Sequence, residues 1–487
     1  MKNNNNNKTT AKMEDSSSRD NNPDKLSRRK YLIGPIAFMH LFGFSIFNGT
    51  AILYYPYIVG KTLFSNSSTE NGKSSVCSSN LNASETEHGK IIQSKVAMFL
   101  MYLAICEGIP CLLSNLVFGS ISDRVGRKKM LIIPTLGMLL AEVFMVIFMY
   151  FELKLYYLLI PLILHGFSGE AFANIQFALS YTSDISGNSK KRTTAMGFME
   201  IFIGMGLLVG GVVAGYVIRD RGYLWSMATA FPLTLSNIVL ICLLPETRQR
   251  KIKEPWHCMS VVRSFHKSLE FYYSKKYSGM RLKYNICLFI YMIGCIAIIG
   301  RNQTEVLYVI SPPFCLSTVD VGWFHALRGV MQHGISMILI RVFVICLRAE
   351  TIAVLGAVSG TISLIAEGLT SSTVVLFLTP VIGMGMSLGI VMMRAVMSRE
   401  TSSENQGALF GGMAAVQTAC TFFGSLISSA LYRNTVYFFE GTLFLVLAGL
   451  FFISLILSLF LTSLPKLRRI EYDLEVKENK NEMNEKF

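Results

Sequence analysis

Charged side chains are scarce in this sequence: they make up 16% of its 487 residues, whereas 52% are hydrophobic. Soluble globular chains carry about 25% charged residues, so this composition excludes an ordinary soluble domain and favours a protein that lies in lipid. Motifs for catalysis and cofactor binding are lacking as well. No cysteine–histidine spacing resembles a metal site, and no Ser-His-Asp, Walker or dinucleotide motif lies in a loop that could use it. We therefore expect neither an enzyme nor a bound cofactor.

The net charge of +14 does not indicate a nucleic-acid-binding protein. The basic residues lie in short runs between apolar segments, which is the pattern of membrane topology and not of a surface that follows phosphates. The partner expected from composition is a lipid bilayer. Nothing in the sequence predicts an oligomeric state.

Twelve apolar segments are long enough to cross a bilayer, which takes about 20 residues. Six lie near 31–59, 96–118, 130–150, 155–181, 194–218 and 223–244, and six near 285–309, 320–345, 350–369, 373–398, 405–432 and 437–463. This predicts an all-α membrane protein with two six-helix bundles, residues 31–244 and 285–463, joined by a polar loop at 245–284. A disordered tail is expected at 1–30 and a second tail at 464–487.

Lysine and arginine are concentrated on one side of the predicted membrane. The loop 245–284 holds ten of them against three glutamates, and further basic runs occur at 28–30, 124–129, 190–192 and 466–469. The positive-inside rule places this side, with both tails, in the cytosol. The opposite loop, 60–95, carries glycosylation sequons at Asn66 and Asn82, which agrees with an outward orientation.

Two of the ten cysteines, Cys77 and Cys315, fall in predicted outer loops, one in each half of the chain. In an oxidising compartment a disulfide between them is one interpretation. Two free thiols is the other, because the sequence does not give the distance between them.

The segment GSISDRVGRKK, residues 119–129, places five charges on the turn between the second and third spans. Its glycines allow a close helix approach and a tight reversal, its aspartate can accept hydrogen bonds from a helix N-terminus, and its first lysine and neighbouring arginines can form ion pairs in the cytosol. We interpret the segment as a latch between conformations; the alternative is a generic positive-inside turn. The residues assigned to the latch are Gly119, Asp123, Arg124, Gly126, Arg127 and Lys128.

The spacing of this segment matches the G-x-x-x-D-[R/K]-x-G-R-[R/K] motif of the major facilitator superfamily, which the chain also resembles in its twelve spans. Segments at 166–186, 197–211, 307–323 and 394–417 resemble the solute carrier subfamily that contains the proton-coupled folate transporter. The resemblance covers roughly residues 35–463. It implies a major facilitator fold with two pseudo-symmetric six-helix bundles. It also implies a disulfide between Cys77 and Cys315.

Ionisable residues inside a span are costly and are candidates for function. Glu200 lies about two turns from the cytosolic end of the fifth span. It is expected to carry protons, a role that the resemblance also implies, or else to hydrogen-bond a neighbouring helix. Arg394, near the cytosolic end of the tenth span, is expected to bind an anionic group. The resemblance implies a functional arginine at this position, and snorkelling to the cytosol is the alternative.

Arg301 and Glu305 lie four residues apart on the seventh span, where they either neutralise each other or bind a solute from the outer side. Asn302 and Glu170 are further candidates for solute binding. A second group of ionisable residues within the spans has no sharper role; it comprises His40, Glu107, Glu142, His165, His325, Arg328 and His333.

Two departures from folate-carrying relatives weigh against folate itself: the seventh span has no histidine, and Gly166 stands where they have an acidic residue. We predict a secondary active transporter of a small organic anion, folate-like or otherwise amphipathic, that works by alternating access with protons as the coupling ion. The alternatives are a uniporter, a lysosomal or endosomal exporter of bulkier amphipathic solutes, and a non-transporting receptor on the same fold. The plasma membrane is favoured over the lysosome because neither tail carries a clear sorting signal.

Overall fold

The computed structural model describes residues 29–63, 83–186, 189–247, 278–401 and 406–485. Twelve helical stretches within them have the length and apolar composition of membrane spans. The first six are Lys30–Leu63, Glu87–Asn115, Arg127–Tyr150, Leu155–Ile185, Ala195–Arg221 and Tyr223–Leu243. The other six are Arg281–Val309, Thr318–Cys346, Ala349–Leu369, Thr373–Glu400, Gly412–Thr435 and Thr442–Ser463. The predicted twelve-span α-helical fold is confirmed.

An even number of crossings puts both ends of the described chain on one face of the bundle, which we call the terminal face. The opposite, distal face carries the connections 151–154, 310–317 and 436–441. The helices that extend furthest past one end of a predicted span are Ala83–Val125, Ser278–Val309 and Thr442–Glu485. The last of these continues through most of the predicted tail 464–487. The predicted tail 1–30 lies almost wholly outside the described residues.

The hydrophobic core is shared between the two halves near the distal face and divided near the terminal face. The largest buried cluster combines Tyr55 and Phe99 of the first half with Leu307 and Tyr432 of the second. Towards the terminal face each half has a separate cluster, one including Phe177 and the other including Tyr284, Met397 and their neighbours. The halves therefore pack together at the distal face and have separate cores at the terminal face.

Hydrogen bonds from the second span to the eleventh span and to the connection that follows it close the distal face. The Tyr432 hydroxyl donates to Gln93 Oε1 at 2.6 Å, and Lys90 Nζ donates to the Tyr437 carbonyl at 3.5 Å. We call this contact region, with Lys90, Gln93, Tyr432 and Tyr437, the distal seam. It joins the two halves directly, because the second span belongs to the first half and the eleventh to the second.

The fifth and eighth spans form a second contact between the halves near the distal face. Thr318 Oγ1 donates to the Gly215 carbonyl at 3.2 Å. A Cβ atom added to Gly215 would lie 2.6 Å from the Thr318 carbonyl oxygen, and one added to Gly322 would lie 2.7 Å from that of Gly211. These glycines permit backbone contact between the helices, as small residues do at membrane helix interfaces.

Two spans at corresponding positions of the halves are broken inside the membrane. The fourth span consists of the helices Leu159–Phe167 and Glu170–Ile185, separated where Gly169 (φ 85°) and Glu170 (φ 52°) adopt positive φ. The tenth consists of Thr373–Ile382 and Leu388–Glu400, with a 3₁₀ turn at Gly383–Gly385. The fourth helix of each half is thus interrupted, and interrupted spans at corresponding positions are characteristic of solute sites in transporters.

Candidate functional site

The break in the fourth span carries a cluster of ionisable side chains. His165 Nδ1 lies 2.6 Å from Glu107 Oε1 on the second span, and the imidazole is fully buried. Glu170, at the start of the second helical segment, lies within electrostatic range of both groups and contacts the Cys111 thiol. Asn115 Nδ2 donates at 3.4 Å to the Gly169 carbonyl, which also accepts from the Ala173 N–H at 3.0 Å, so the second span is joined to the break. Two carboxylates and an imidazole are therefore held together where the helix is interrupted.

The second half contains a larger buried cluster on the seventh, eighth and ninth spans. One nitrogen of Arg328, Nη2, forms ion pairs with both Glu305 and Glu367; its distance to Glu367 Oε2 is 3.5 Å. His325 Nδ1 lies 4.0 Å from Glu305 Oε2. Arg328 and both glutamates are at most 3% exposed. Burying such charges is strongly unfavourable unless they are paired, so this cluster fixes the three spans relative to each other.

Arg301 is buried beside this cluster but has a different set of contacts. Its Nη1 donates to Met386 Sδ at 3.2 Å, and its Nη2 donates to Asn302 Oδ1 at 3.3 Å. Within the described residues no carboxylate lies within 4 Å of it, since Glu305 faces Arg328 instead. The two residues of this i, i+4 pair therefore form no direct ion pair within the described residues, although Glu305 still acts on Arg301 through space. Glu305 pairs across helices.

Arg394 lies nearer the terminal face, held by two uncharged partners. Its Nη2 donates to the Tyr291 hydroxyl at 2.7 Å and to Gln417 Oε1 at 2.6 Å. The guanidinium also lies over the Tyr291 ring, with its carbon 5.2 Å from the ring centroid. Neither partner neutralises the positive charge, so the guanidinium can still bind an anion.

Glu200 lies in the first half, five residues from the start of the fifth span, and is half-buried. Its carboxylate acts electrostatically on Arg394, which belongs to the second half, but does not form a salt bridge with it. The two charges, one in each half, therefore lie within electrostatic range of each other on the terminal side of the two broken spans. This is the side on which the cores of the halves are separate.

Comparison with known proteins identifies the family. The sequence profile of the Major Facilitator Superfamily matches residues 33–349.

The chain belongs to the major facilitator superfamily.

The chain is also similar, over most of its length, to individual members of this superfamily. It is 23% identical over 439 residues to the lysosomal proton-coupled steroid conjugate and bile acid symporter SLC46A3 of Gallus gallus, covering 88% of this chain and 93% of that protein. It is 25% identical over 377 residues to the proton-coupled folate transporter of Rattus norvegicus, covering 76% and 79%. The resemblance to that solute carrier subfamily is thus confirmed, and so is the expectation that the chain is not an enzyme, since these relatives are transporters.

The fold is also that of solved superfamily members. The crystal structure of the human organic anion transporter MFSD10 superimposes with a TM-score of 0.60 at 14% identity, covering 89% of this chain and 99% of that structure. Twelve spans in two halves, together with this match, establish a multi-pass membrane transporter with the superfamily architecture.

The superfamily motif at the second turn joins the terminal ends of several spans in the first half. Arg127 Nε pairs with Asp184 Oδ2 at 3.2 Å, at the end of the fourth span. The backbone N–H of Arg127 donates to Glu246 Oε1 at 2.9 Å, and Lys128 Nζ donates to the Cys242 carbonyl at 2.7 Å. These contacts lie within one half, so the described part of the motif joins the terminal ends of its spans.

Gly126 shows why the motif requires glycine. Its φ of 110° is in the region that favours glycine, and an added Cβ would lie 2.4 Å from Glu246 Oε2. Glu246 places a carboxylate at the N-terminus of the third helix, where an anion is stabilised. The prediction assigned such a role to Asp123. Gly119, Asp123 and Arg124 lie in the helix Ala83–Val125, and their side chains are outside the described residues.

The corresponding place in the second half has an ion pair of reversed sign. Glu350, at the start of the ninth span, accepts from Arg399 Nη2 at 3.0 Å, at the end of the tenth. Lys283 Nζ strengthens this group by donating to Glu400 Oε1 at 2.8 Å. Acid and base have exchanged positions relative to the pair in the first half.

The remaining predicted residues divide between described and undescribed parts of the chain. Asn302 is exposed on the seventh span. Cys315 is disulfide-bonded. Its predicted partner Cys77 lies outside the described residues, as do the sequon asparagines Asn66 and Asn82, so that pairing and the glycosylation stay predictions.

Several residues at these sites were not predicted from the sequence. Glu367 is a carboxylate inside an apolar span, a signal that sequence analysis can detect and that we missed. Tyr291, Gln417 and Met386 are uncharged, and nothing in their local sequence distinguishes them from other span residues. Among the described residues no group of three side chains is arranged to hold a metal ion.

Proposed function

We propose that this chain is a proton-coupled symporter of a small organic anion. The observation that carries this proposal is the position of Glu200 opposite Arg394, each in a different half of the molecule. A positive group that binds the anion and an acidic group that binds the proton therefore interact directly through space. Two relatives, a proton-coupled steroid conjugate and bile acid symporter and a proton-coupled folate transporter, support the same chemistry.

The coupling follows from electrostatics. Ionised Glu200 competes with a solute anion for the field of Arg394, because both are negative and the guanidinium carries a single charge. Protonation of Glu200 removes this competition, and a bound anion in turn makes the protonated form more favourable. Proton and anion then bind together and leave together, which is the thermodynamic requirement for symport.

The proposed cycle uses the two faces already described. Near the distal face the halves share one core and the seam is closed, whereas near the terminal face their cores are separate. The lysine and arginine distribution favours a cytosolic position of the terminal face, so the present conformation would be open inwards. The solute would enter from the distal face in the opposite conformation, with a plasma-membrane location favoured and a lysosomal one the alternative.

The test is uptake of labelled methotrexate and estrone sulfate by cells expressing the chain, at pH 5.5 and pH 7.4. We expect uptake to be faster at pH 5.5. Glu200→Gln should remove the pH dependence, and Arg394→Ala should reduce uptake of both anions at least tenfold. Glu152→Gln and Arg219→Ala are matched controls, because both residues are exposed and form ion pairs at the surface.

The outcomes separate the proposal from its alternatives. Uptake that is unchanged by pH and by Glu200→Gln contradicts proton coupling and leaves a uniporter. Surface-expressed protein that transports neither anion contradicts this proposal and favours an exporter of other solutes or a receptor on the same fold.

A further inference from the structure

Two buried hydrogen-bond donors, one on the seventh span and one on the eighth, are directed at a poor acceptor on the tenth span. Arg301 Nη1 and Gln332 Nε2 donate to the same atom, Met386 Sδ, at 3.2 and 3.6 Å. A thioether sulfur is a weak acceptor, while a guanidinium and an amide are strong donors. Arg301 is 1% exposed and Gln332 7%, so water does not compensate for the weak bonds. Arg301 Nε also has no hydrogen-bond partner within the described residues.

The ion pairs around Arg301 are a second, independent indication that its guanidinium lacks a strong acceptor. Both neighbouring carboxylates, Glu305 and Glu367, pair with Arg328. Within the described residues Arg301 forms no direct salt bridge; Glu305 and Glu367 act on it only through space, although a buried guanidinium is best stabilised by a direct counter-ion. The polar atom in its contact shell besides the sulfur is the neutral Asn302 oxygen.

The backbone is irregular on both spans that carry these side chains. Met386 directly follows the 3₁₀ turn Gly383–Gly385, and Gln332 lies in a π-helical segment, Val330–Ile335, of the eighth span. Such irregular backbone within a membrane span occurs where it lines a site, and π segments are frequent at functional positions. Ser387 Oγ donates to the Gln332 carbonyl at 2.9 Å, which holds the two irregular segments against each other.

We propose that this place is an anion-binding subsite, in which a carboxylate or sulfate group of the solute displaces the Met386 thioether and accepts hydrogen bonds from Arg301 and Gln332. This rests on the proposed function insofar as the anion belongs to the transported solute. The subsite is separate from Arg394. Its arginine lies ten residues beyond Tyr291, the partner of Arg394, on the same helix, which corresponds to about 15 Å along the axis.

The separation defines the class of solute. Arg301 lies on the seventh span and Arg394 on the tenth, at levels about 15 Å apart along the seventh helix, so the two arginines cannot bind a single small carboxylate together. They suit an elongated amphipathic anion, with its apolar body between the two levels, or successive binding of one anionic group during transport. The methionine at the centre of the subsite is a flexible side chain that can move aside for the ligand.

The subsite is tested by a substitution that attaches a carboxylate covalently at the position of the proposed anion. In Met386→Glu, a tethered carboxylate accepts the bonds of Arg301 and Gln332. The purified full-length protein should then unfold at a higher temperature without ligand, and it should lose the stabilisation that estrone sulfate and methotrexate give the unmodified protein. Met386→Gln is the matched neutral variant and should retain anion-dependent stabilisation. Arg301→Gln should weaken anion binding at least tenfold, and Arg301→Lys should restore part of it.

Comparison of different ligands identifies the anionic group that the subsite binds. Estrone, which lacks the sulfate, should give no stabilisation that depends on Arg301. Stabilisation by estrone sulfate alone, or by methotrexate alone, would assign the subsite to sulfate or to carboxylate. The proposal is overturned if Met386→Glu keeps full anion-dependent stabilisation, if Arg301→Gln binds as well as the unmodified protein, or if neither anion stabilises it. Loss of proton coupling in uptake with these binding effects intact would contradict the proposed function but not the subsite.

Discussion

Protonation of Glu440 should favour closure of the distal face. This carboxylate lies in the connection between the eleventh and twelfth spans, three residues beyond Tyr437 of the distal seam. Burial raises the pKa of Glu440 from its ordinary value near 4.5 to about 7, although the Lys90 ammonium opposes the shift. Tyr308 and Tyr432 are the other titratable groups facing it. Opening of the seam would separate the halves here and expose Glu440 to water.

The direction of the pH effect on the closed-to-open ratio follows from which of the two conformations holds the Glu440 proton more tightly. Below about pH 4.5 both states are protonated, so Glu440 imposes no penalty on closure. Between about 4.5 and 7 the closed state keeps the proton that the open state releases, and above about 7 closure must bury an ionised carboxylate. The two pKa values predict that the closed-to-open ratio rises about twentyfold from pH 7.4 to pH 5.5. Because the carboxylate retains some solvent contact, we expect a rise of about tenfold.

The assay is a distance measurement across the seam. Site-specific spin labels at Glu87 and Asn434, exposed positions on the second and eleventh spans, report the open and closed populations at the two pH values. Glu440→Gln should leave the ratio independent of pH and close to its acidic value, while the exposed Glu152→Gln should behave like the unmodified protein. An equal pH response in Glu440→Gln, or opening at acid pH, would refute the reasoning.

Three further changes have defined outcomes. Gly166→Ala would place a Cβ 2.3 Å from the Glu107 carbonyl oxygen, so we expect loss of folded protein, measured by size-exclusion yield. Tyr291→Phe removes one of the two hydrogen bonds to Arg394; an uptake assay should show KM for anions rising several-fold with little change for a neutral solute. Arg127→Ala breaks a largely buried ion pair with its fourth-span aspartate and should reduce stability by about 2 kcal/mol, measured by thermal unfolding.

Much of the fold was predictable because the bilayer imposes it. A span needs a minimum apolar length, and hydropathy records that length directly. For this reason the predicted segments lie within a few residues of most of the observed spans. The boundaries that differ, such as the start of the second helix at Ala83, lie where the helix continues past the apolar stretch into polar sequence, which composition does not register.

The site was predictable only where it is charged. Glu200 and Arg394 could be identified because an ionisable group within a span needs an explanation. Their partners could not, since Tyr291 and Gln417 resemble many other residues of the spans. The pairing of Glu305 depends on the relative rotation of the seventh and eighth spans. Sequence spacing suggested Arg301, one turn away, whereas helix packing brings Arg328 closer.

The reversed ion pairs give the terminal faces of the two halves opposite charge patterns. Arg127 and Asp184 occupy positions in the first half that Glu350 and Arg399 occupy in the second. Two halves of identical polarity would bring like charges together whenever their terminal ends converged. With opposite polarity the corresponding span ends carry charges of opposite sign, so an approach of one end to its counterpart would be attractive. Four side chains thus favour association of unlike halves, as in a heterodimer whose subunits are linked in one polypeptide.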